Sequence, residues 1–206
     1  MNSLAILGAS GHGKVAADIA EQVGFSKIDF FDDQVVGSIG TWRIIGMGKD
    51  LLKNLPAYSA IFIAIGKNEI RQKLYDQFSA AGGKLTTLTH PSAIISRHAL
   101  IGEASIIAAN AVVNPFSKIG KGVILNTSAT IDHDCIIEDF AHISPGANLA
   151  GGVSIGARSW VGIGASIKQN IAIGQDVVVG AGASVVQNIP NNWIVAGVPA
   201  AELKKR

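Results

Sequence analysis

Asp132, His133 and Asp134 stand consecutively in the stretch TIDHDCIIEDFAH, and His142 follows nine residues after His133. A histidine flanked by carboxylates suits general base catalysis. The imidazole accepts a proton near neutral pH, and a neighbouring carboxylate fixes its tautomer and stabilises the imidazolium. Such a base serves attack by an amine or hydroxyl on an activated carbonyl, and contributes roughly 10²–10⁴ in rate. His133 with Asp134 is the candidate catalytic pair; a fragment of a metal site and a solvated polar corner are the other readings of the same residues.

These residues lie in a chain of 206 residues, 48% of them hydrophobic, enough for two small domains with a core each. The net charge is +2 and the cations are scattered apart from Lys204, Lys205 and Arg206, so neither nucleic acid nor an anionic membrane surface is an expected partner. Cys135 is the single cysteine, which excludes an internal disulfide and a multi-cysteine zinc site. No apolar run reaches the ~18 residues of a membrane span, and no basic flank precedes the apolar N-terminal run; a reducing cytoplasm is the expected location.

The elements that must position the histidines repeat every six residues. From Ile95 the frame reads Ile95, Ile101, Ile107, Val113, Ile119, Leu125, Ile131, Ile137, Ile143, Leu149, Ile155, Val161, Ile167, Ile173, Val179 and Val185 without a shift. Two places earlier stand mostly Ala, Ser or Cys, including Cys135. The pattern predicts a solenoid of short straight segments, each sending one large side chain inward with a small one where the wall turns. Gly102, Gly120, Gly156, Gly162, Gly174 and Gly180 follow the aliphatic residue, where a tight corner is expected to want positive φ. His133 comes two places after inward Ile131 and should leave the ladder for the outside. His142, half of an eighteen-residue coil further on, should occupy another part of the triangle, so the two are expected to meet only across a subunit boundary.

The first ninety residues alternate strand and helix: LAILG, a helix ended by Gly24, KIDFFDD, AIFIAIG, and a helix before Gly82 and Gly83. Gly8, Gly11 and Gly13 in GASGHG lie between the first strand and helix, where backbone N–H groups can hold a phosphate, and Asp32 and Asp33 end the second strand. A dinucleotide, another nucleotide or a purely structural turn all fit. Room for only three or four strands favours a nucleotide smaller than a dinucleotide.

Taken in order, GASGHG, FFDD, IAIGKNEIR, LNTSATIDHDC, the hexads and AGVPA resemble the sialic-acid O-acetyltransferase type of hexapeptide-repeat acyltransferases, and most of all their UDP-4-amino-sugar N-acetyltransferases of bacillosamine-type biosynthesis. The resemblance implies an α/β nucleotide-binding domain over residues 1–90 followed by a left-handed parallel β-helix with a C-terminal tail over residues 91–206. It implies a homotrimer with active sites between subunits, acetyl-CoA as co-substrate and no metal. Ser10, Gly11, His12, Asp32, Asp33, Gly66 and Asn126 would bind the nucleotide sugar; His142, Gly151, Ile163 and Ala181 would bind acetyl-CoA. Ala181 replaces an expected glycine, and both carboxylates around His133 are Asp where Glu is expected. Two alternatives stand beside this reading: O-acetylation of sialic acid or a related sugar hydroxyl, and a β-helix zinc enzyme of carbonic anhydrase type using His98, His133 and His142.

Overall fold

A computed structural model describes residues 2–205, with side chains to residue 203. The chain divides into two compact units, Met1–Pro91 and Ser92–Arg206.

The first unit is a five-stranded sheet with helices on both faces. Strands β1 (Ser3–Leu7), β2 (Lys27–Phe31), β3 (Gly37–Ile39), β4 (Trp42–Gly46) and β5 (Ala60–Ile63) lie in the order β3-β4-β2-β1-β5. All neighbours are parallel except β3 and β4. Helix α1 (Gly11–Gln22) buries Ala16, Ala17, Ile19 and Ala20, and its Gly13 lies against Phe30. Helices α2 (Gly48–Lys53) and α3 (Asn68–Ala80) send Leu51 and Phe78 onto the opposite face, against Ala5, Leu7 and Phe31. The expected three or four strands are therefore five: the hairpin β3–β4, turning at Gly40 with φ +60, extends the sheet beyond β2.

The second unit is the expected parallel β-helix of the left-handed class. Two-residue strands recur every six residues from Ile94–Ile95 to Ser184–Val185 and form three sheets, each strand pairing with the one eighteen residues on, as in Val112↔Thr130 and Ile124↔His142. Within this unit the third sheet continues into Trp193–Ala196, which Ala201–Lys205 covers as an antiparallel edge. The hexad aliphatics from Ile107 to Val185 are all buried on the prism axis, each contributing roughly 1.5–3 kcal/mol gross. Three serines of the small-residue column, Ser105, Ser117 and Ser159, are buried too, because each hydroxyl donates to one carbonyl of the next coil and accepts an N–H from it.

The corners depart from the sequence expectation. None of Gly102, Gly120, Gly156, Gly162, Gly174 and Gly180 has positive φ. They are glycine because the next coil is too close: a Cβ on Gly102 would lie 2.5 Å from the carbonyl of Gly120, and one on Gly156 2.5 Å from the nitrogen of Gln175. The left-handed residue comes two places later. It recurs every six residues from Ala104 to Gly182, and Asp134 takes that position with φ +59.

Candidate active site

The corner after strand Thr130–Ile131 carries the Asp-His-Asp triplet. Asp134 N–H donates to Pro115 O in the preceding coil at 3.1 Å, and Gly152 N–H donates to His133 O at 2.9 Å, so neighbouring coils hold the corner from both sides. Ser117 Oγ donates to Asp132 O at 2.6 Å and accepts Cys135 N–H at 3.1 Å. On this frame His133 Nδ1 donates to Asp134 Oδ2 at 2.8 Å, and both side chains are about 60% exposed, at 60% and 61%. Nε2 of the neutral ring is thus the atom with the free lone pair. The Asp134 hydrogen bond first, then the negative charge of Asp132, raises the His133 pKa. Asp132 stays ionised below its usual range, because Asn114 Nδ2 donates to it at 2.8 Å and the His133 N–H donates to the same oxygen at 2.8 Å. Cys135, one residue on, points inward and donates to Ala150 O at 3.3 Å; burial pushes its thiol pKa up, so it is a wall residue.

Gly151 lies one coil beyond His133, and a Cβ there would come 2.6 Å from both Cε1 and Nε2 of the imidazole. The ring therefore rests over a bare backbone. Sequence reasoning assigns Gly151 to acetyl-CoA with His142, Ile163 and Ala181; the structure sets it at the His133 corner, outside the groove that those three line.

Those three do come together. His142, on the third sheet, is buried and stacked on Trp160, with ring centres 4.8 Å apart and planes within 14°. With Asn126, Ser144, Ile163 and Ala181 they line a groove of about 550 Å³. Coil periodicity builds this groove, because Asn126, Ser144, Gly162 and Gly180 fall in one column. Asn126 Oδ1 accepts the Thr127 N–H at 2.9 Å, which turns its Nδ2 toward His142 Nε2 at 3.4 Å. This contact makes His142 Nε2 the acceptor in the tautomer that carries its proton on Nδ1. Ala181 has no positive φ, so the methyl costs no backbone strain where glycine was expected. Trp160 was not singled out from sequence; the signal was a large aromatic in an outward hexad slot, and its Nε1–H donates to Ser144 Oγ at 2.7 Å. Neither His133 nor Asp134 lines this groove. Among the described residues, no three His, Cys, Asp or Glu side chains are grouped to hold a metal ion.

In the first unit, Ser10, Asp32 and Asp33 line a second cavity of about 550 Å³ with Gly8, Gln34, Gly48, Lys49 and apolar Leu52, Ile65 and Leu74. Asp32 is largely engaged: its oxygens accept the N–H of Ala9, Gln34 and Val35 at 2.7–2.9 Å. Burial acts to raise its pKa, but these three donors outweigh it and the net shift is downward. Asp33 Oδ1 accepts Gly48 N–H at 2.9 Å. Gly11 and Gly66 open onto free space, whereas Gly8, with φ +111, and Gly13 are demanded by the loop itself. His12 does not line the cavity. Burial, with the charge of Arg71, pushes its pKa down to about 4, so it is a neutral imidazole at neutral pH. Arg71 is buried, donates to Ile65 O at 2.9 Å, Gly66 O at 3.2 Å and Asn68 Oδ1 at 2.9 Å, and so fixes the loop after β5; it too was not singled out from sequence. No helix among the described residues is long and apolar enough to cross a membrane.

Comparison with known proteins bears on both units. Residues 3–78 match the PglD N-terminal domain family. The acetyltransferase domain of PglB from Neisseria gonorrhoeae FA1090, solved in complex with acetyl coenzyme A, is 44% identical over 98% of this chain and 99% of that one, with a TM-score of 0.95. A variant of perosamine N-acetyltransferase from Caulobacter crescentus, solved with CoA and GDP-perosamine, is 33% identical over 100% of this chain and 98% of that one, with a TM-score of 0.96. UDP-N-acetylbacillosamine N-acetyltransferase of Bacillus subtilis (strain 168) is 37% identical over 113 residues, 53% of this chain and 52% of the relative. A PglD-type N-terminal domain and a hexad-built prism, matched along nearly the whole chain by acetyltransferase structures, make this protein a member of the hexapeptide-repeat sugar acetyltransferases.

Proposed function

We propose that the protein transfers the acetyl group of acetyl-CoA to the amino group of a UDP-linked 4-amino sugar, within a homotrimer whose active sites lie between subunits. The observation that carries the chemistry is the His133–Asp134 pair, 2.8 Å apart at an open corner with Nε2 unprotonated in the neutral ring. The amine nitrogen attacks the thioester carbonyl, its N–H proton passes to His133 Nε2, and the C–S bond breaks to release CoA. Asp134 holds the imidazole by Nδ1 and stabilises its cation. Gly151, with no side chain, leaves the imidazole the room it occupies at this corner.

The groove of His142, Trp160, Ile163 and Ala181 suits the pantetheine arm, being mostly apolar with a few fixed polar groups. It does not contain His133, which favours a site completed by a second subunit. Ser10 and Asp33, which line the cavity of the first unit, and Gly66 on the loop after β5 are assigned to the nucleotide, with Asp32 acting through the loop that it ties. His12, neutral and half-buried, is assigned a packing or hydrogen-bonding part rather than charge neutralisation of phosphate. N-acetylation is preferred to O-acetylation because the relatives above that are named for an acetylated sugar are N-acetyltransferases. The same relatives include both UDP and GDP sugars; we take uridine from the FFDD resemblance.

The test is thiol release from acetyl-CoA with UDP- and GDP-linked 4-amino sugars and sialic acid as acceptors, followed by product mass. A gain of one acetyl group on the UDP-linked amine, with slower turnover of the others, is expected. Preferential acetylation of a GDP sugar or of sialic acid overturns the assignment.

A further inference from the structure

Eighteen residues separate successive coils, so the corner that carries His133 and Asp134 carries Pro115 and Phe116 one coil earlier, and Arg97 and His98 two coils earlier. Two backbone hydrogen bonds fix this alignment: Asp134 N–H to Pro115 O at 3.1 Å and Phe116 N–H to His98 O at 3.3 Å. One coil beyond His133, the same corner is Gly151 and Gly152, with no side chains. The imidazole thus stands between a bare floor and an aromatic step.

Phe116 has φ +65, a strained conformation for a bulky residue. Phe140 shares that strain at φ +59, but it is 1% exposed, and burial offsets the cost. Phe116 is 62% exposed and lacks that compensation. Its ring is stacked against His98, with centres 5.6 Å apart and planes within 29°, so two aromatic faces form one ledge. Neighbouring coils lie about 4.8 Å apart, so the ledge lies one coil to one side of the His133 corner, and a six-membered sugar ring that rests on it and overhangs that corner would present a ring substituent to the imidazole.

We infer that Phe116, backed by His98, is a specificity-determining platform for the acceptor, holding the C–H face of its pyranose ring while the amine faces His133. This rests on the amino-sugar reading above. The occupant is a pyranose, not a flat base or an acyl chain, because the ledge is one residue wide and lies beside the base rather than in the groove of Trp160.

Three proteins test it: the wild type, Phe116→Asn, which tolerates the left-handed corner without a ring, and Phe116→Tyr, which keeps the ring. With the nucleotide-linked amino sugar that the wild type acetylates, Phe116→Asn is expected to raise the acceptor KM about tenfold or more. The acetyl-CoA KM and the sedimentation coefficient are expected to hold and Tm not to fall, and Phe116→Tyr to stay within about threefold of wild type. An unchanged acceptor KM in Phe116→Asn overturns the platform alone. Dissociation of Phe116→Asn on sedimentation, with both KM values altered together, overturns it in favour of a contact between copies of the chain. A wild type that acetylates no nucleotide-linked amino sugar overturns the platform and the proposed function together.

Discussion

His133 and Asp134 are exposed to water and yet bound in a fixed geometry, because Asp134 occupies a left-handed corner where Asp is more tolerable than Glu. A raised His133 pKa means that the proton-free base is lost on acidification at a higher pH than for an isolated imidazole. Asp134→Asn removes the principal cause. The acid limb of the kcat/KM profile is therefore expected to move to lower pH while its plateau falls about 10–100-fold. A limb left in place would assign it to another group. His133→Ala is expected to lower turnover by about 100-fold or more without loss of fold. Gly151→Ala should push the imidazole off its Asp134-paired position, lowering kcat about tenfold or more with little change in Tm; normal turnover would show that the ring has room to turn aside. The Asp-His-Asp triplet was legible because its residue types define the chemistry. The contact of His133 with Gly151 was legible only in the arithmetic of eighteen, since nothing local to either residue announces it.

At the scale of elements, the hexad frame was readable because each step repeats the same choice of a large inward residue, and sixteen repeats leave no other frame. The hairpin β3–β4 was not readable: its strands are short, partly exposed and joined by Gly40–Thr41 without a strong alternating pattern. The groove was readable in part, since His142, Ile163 and Ala181 carried a resemblance while Trp160 carried only its size. The corner residues invite two opposed substitutions. Ser128 is exposed at φ +56, so Ser128→Gly is expected to raise stability by up to about 1 kcal/mol, whereas Gly120→Ala, facing backbone, is expected to lower it by roughly 1–3 kcal/mol. Thermal unfolding of both variants checks the signs. In the first unit, His12 is held near pKa 4 against 6.5 in the unfolded chain, so its stabilising effect is complete above pH 6.5 and fades as pH falls toward 4, by roughly 3 kcal/mol in all. His12→Phe should flatten that part of the stability–pH curve; an unchanged slope would place the titration elsewhere.

At the scale of the whole molecule, the proposed site needs His133 from one subunit and His142 from another. Subunits of His133→Ala and His142→Ala, each inactive, are expected to regain up to about a quarter of wild-type activity when co-assembled, because random pairing leaves that share of interfaces with both histidines. No recovery would place both in one chain.

The corner conformation recurs every six residues from Ala104 to Gly182 with no interruption. Length along this prism is therefore quantised. One inserted residue within a wall would turn every later inward side chain toward solvent, six would rotate the remainder by one face, and only eighteen would preserve every column. The distance from the first coil to the histidine corner changes in whole coils or not at all, so variation in reach is confined to residues that bulge outward at the edges.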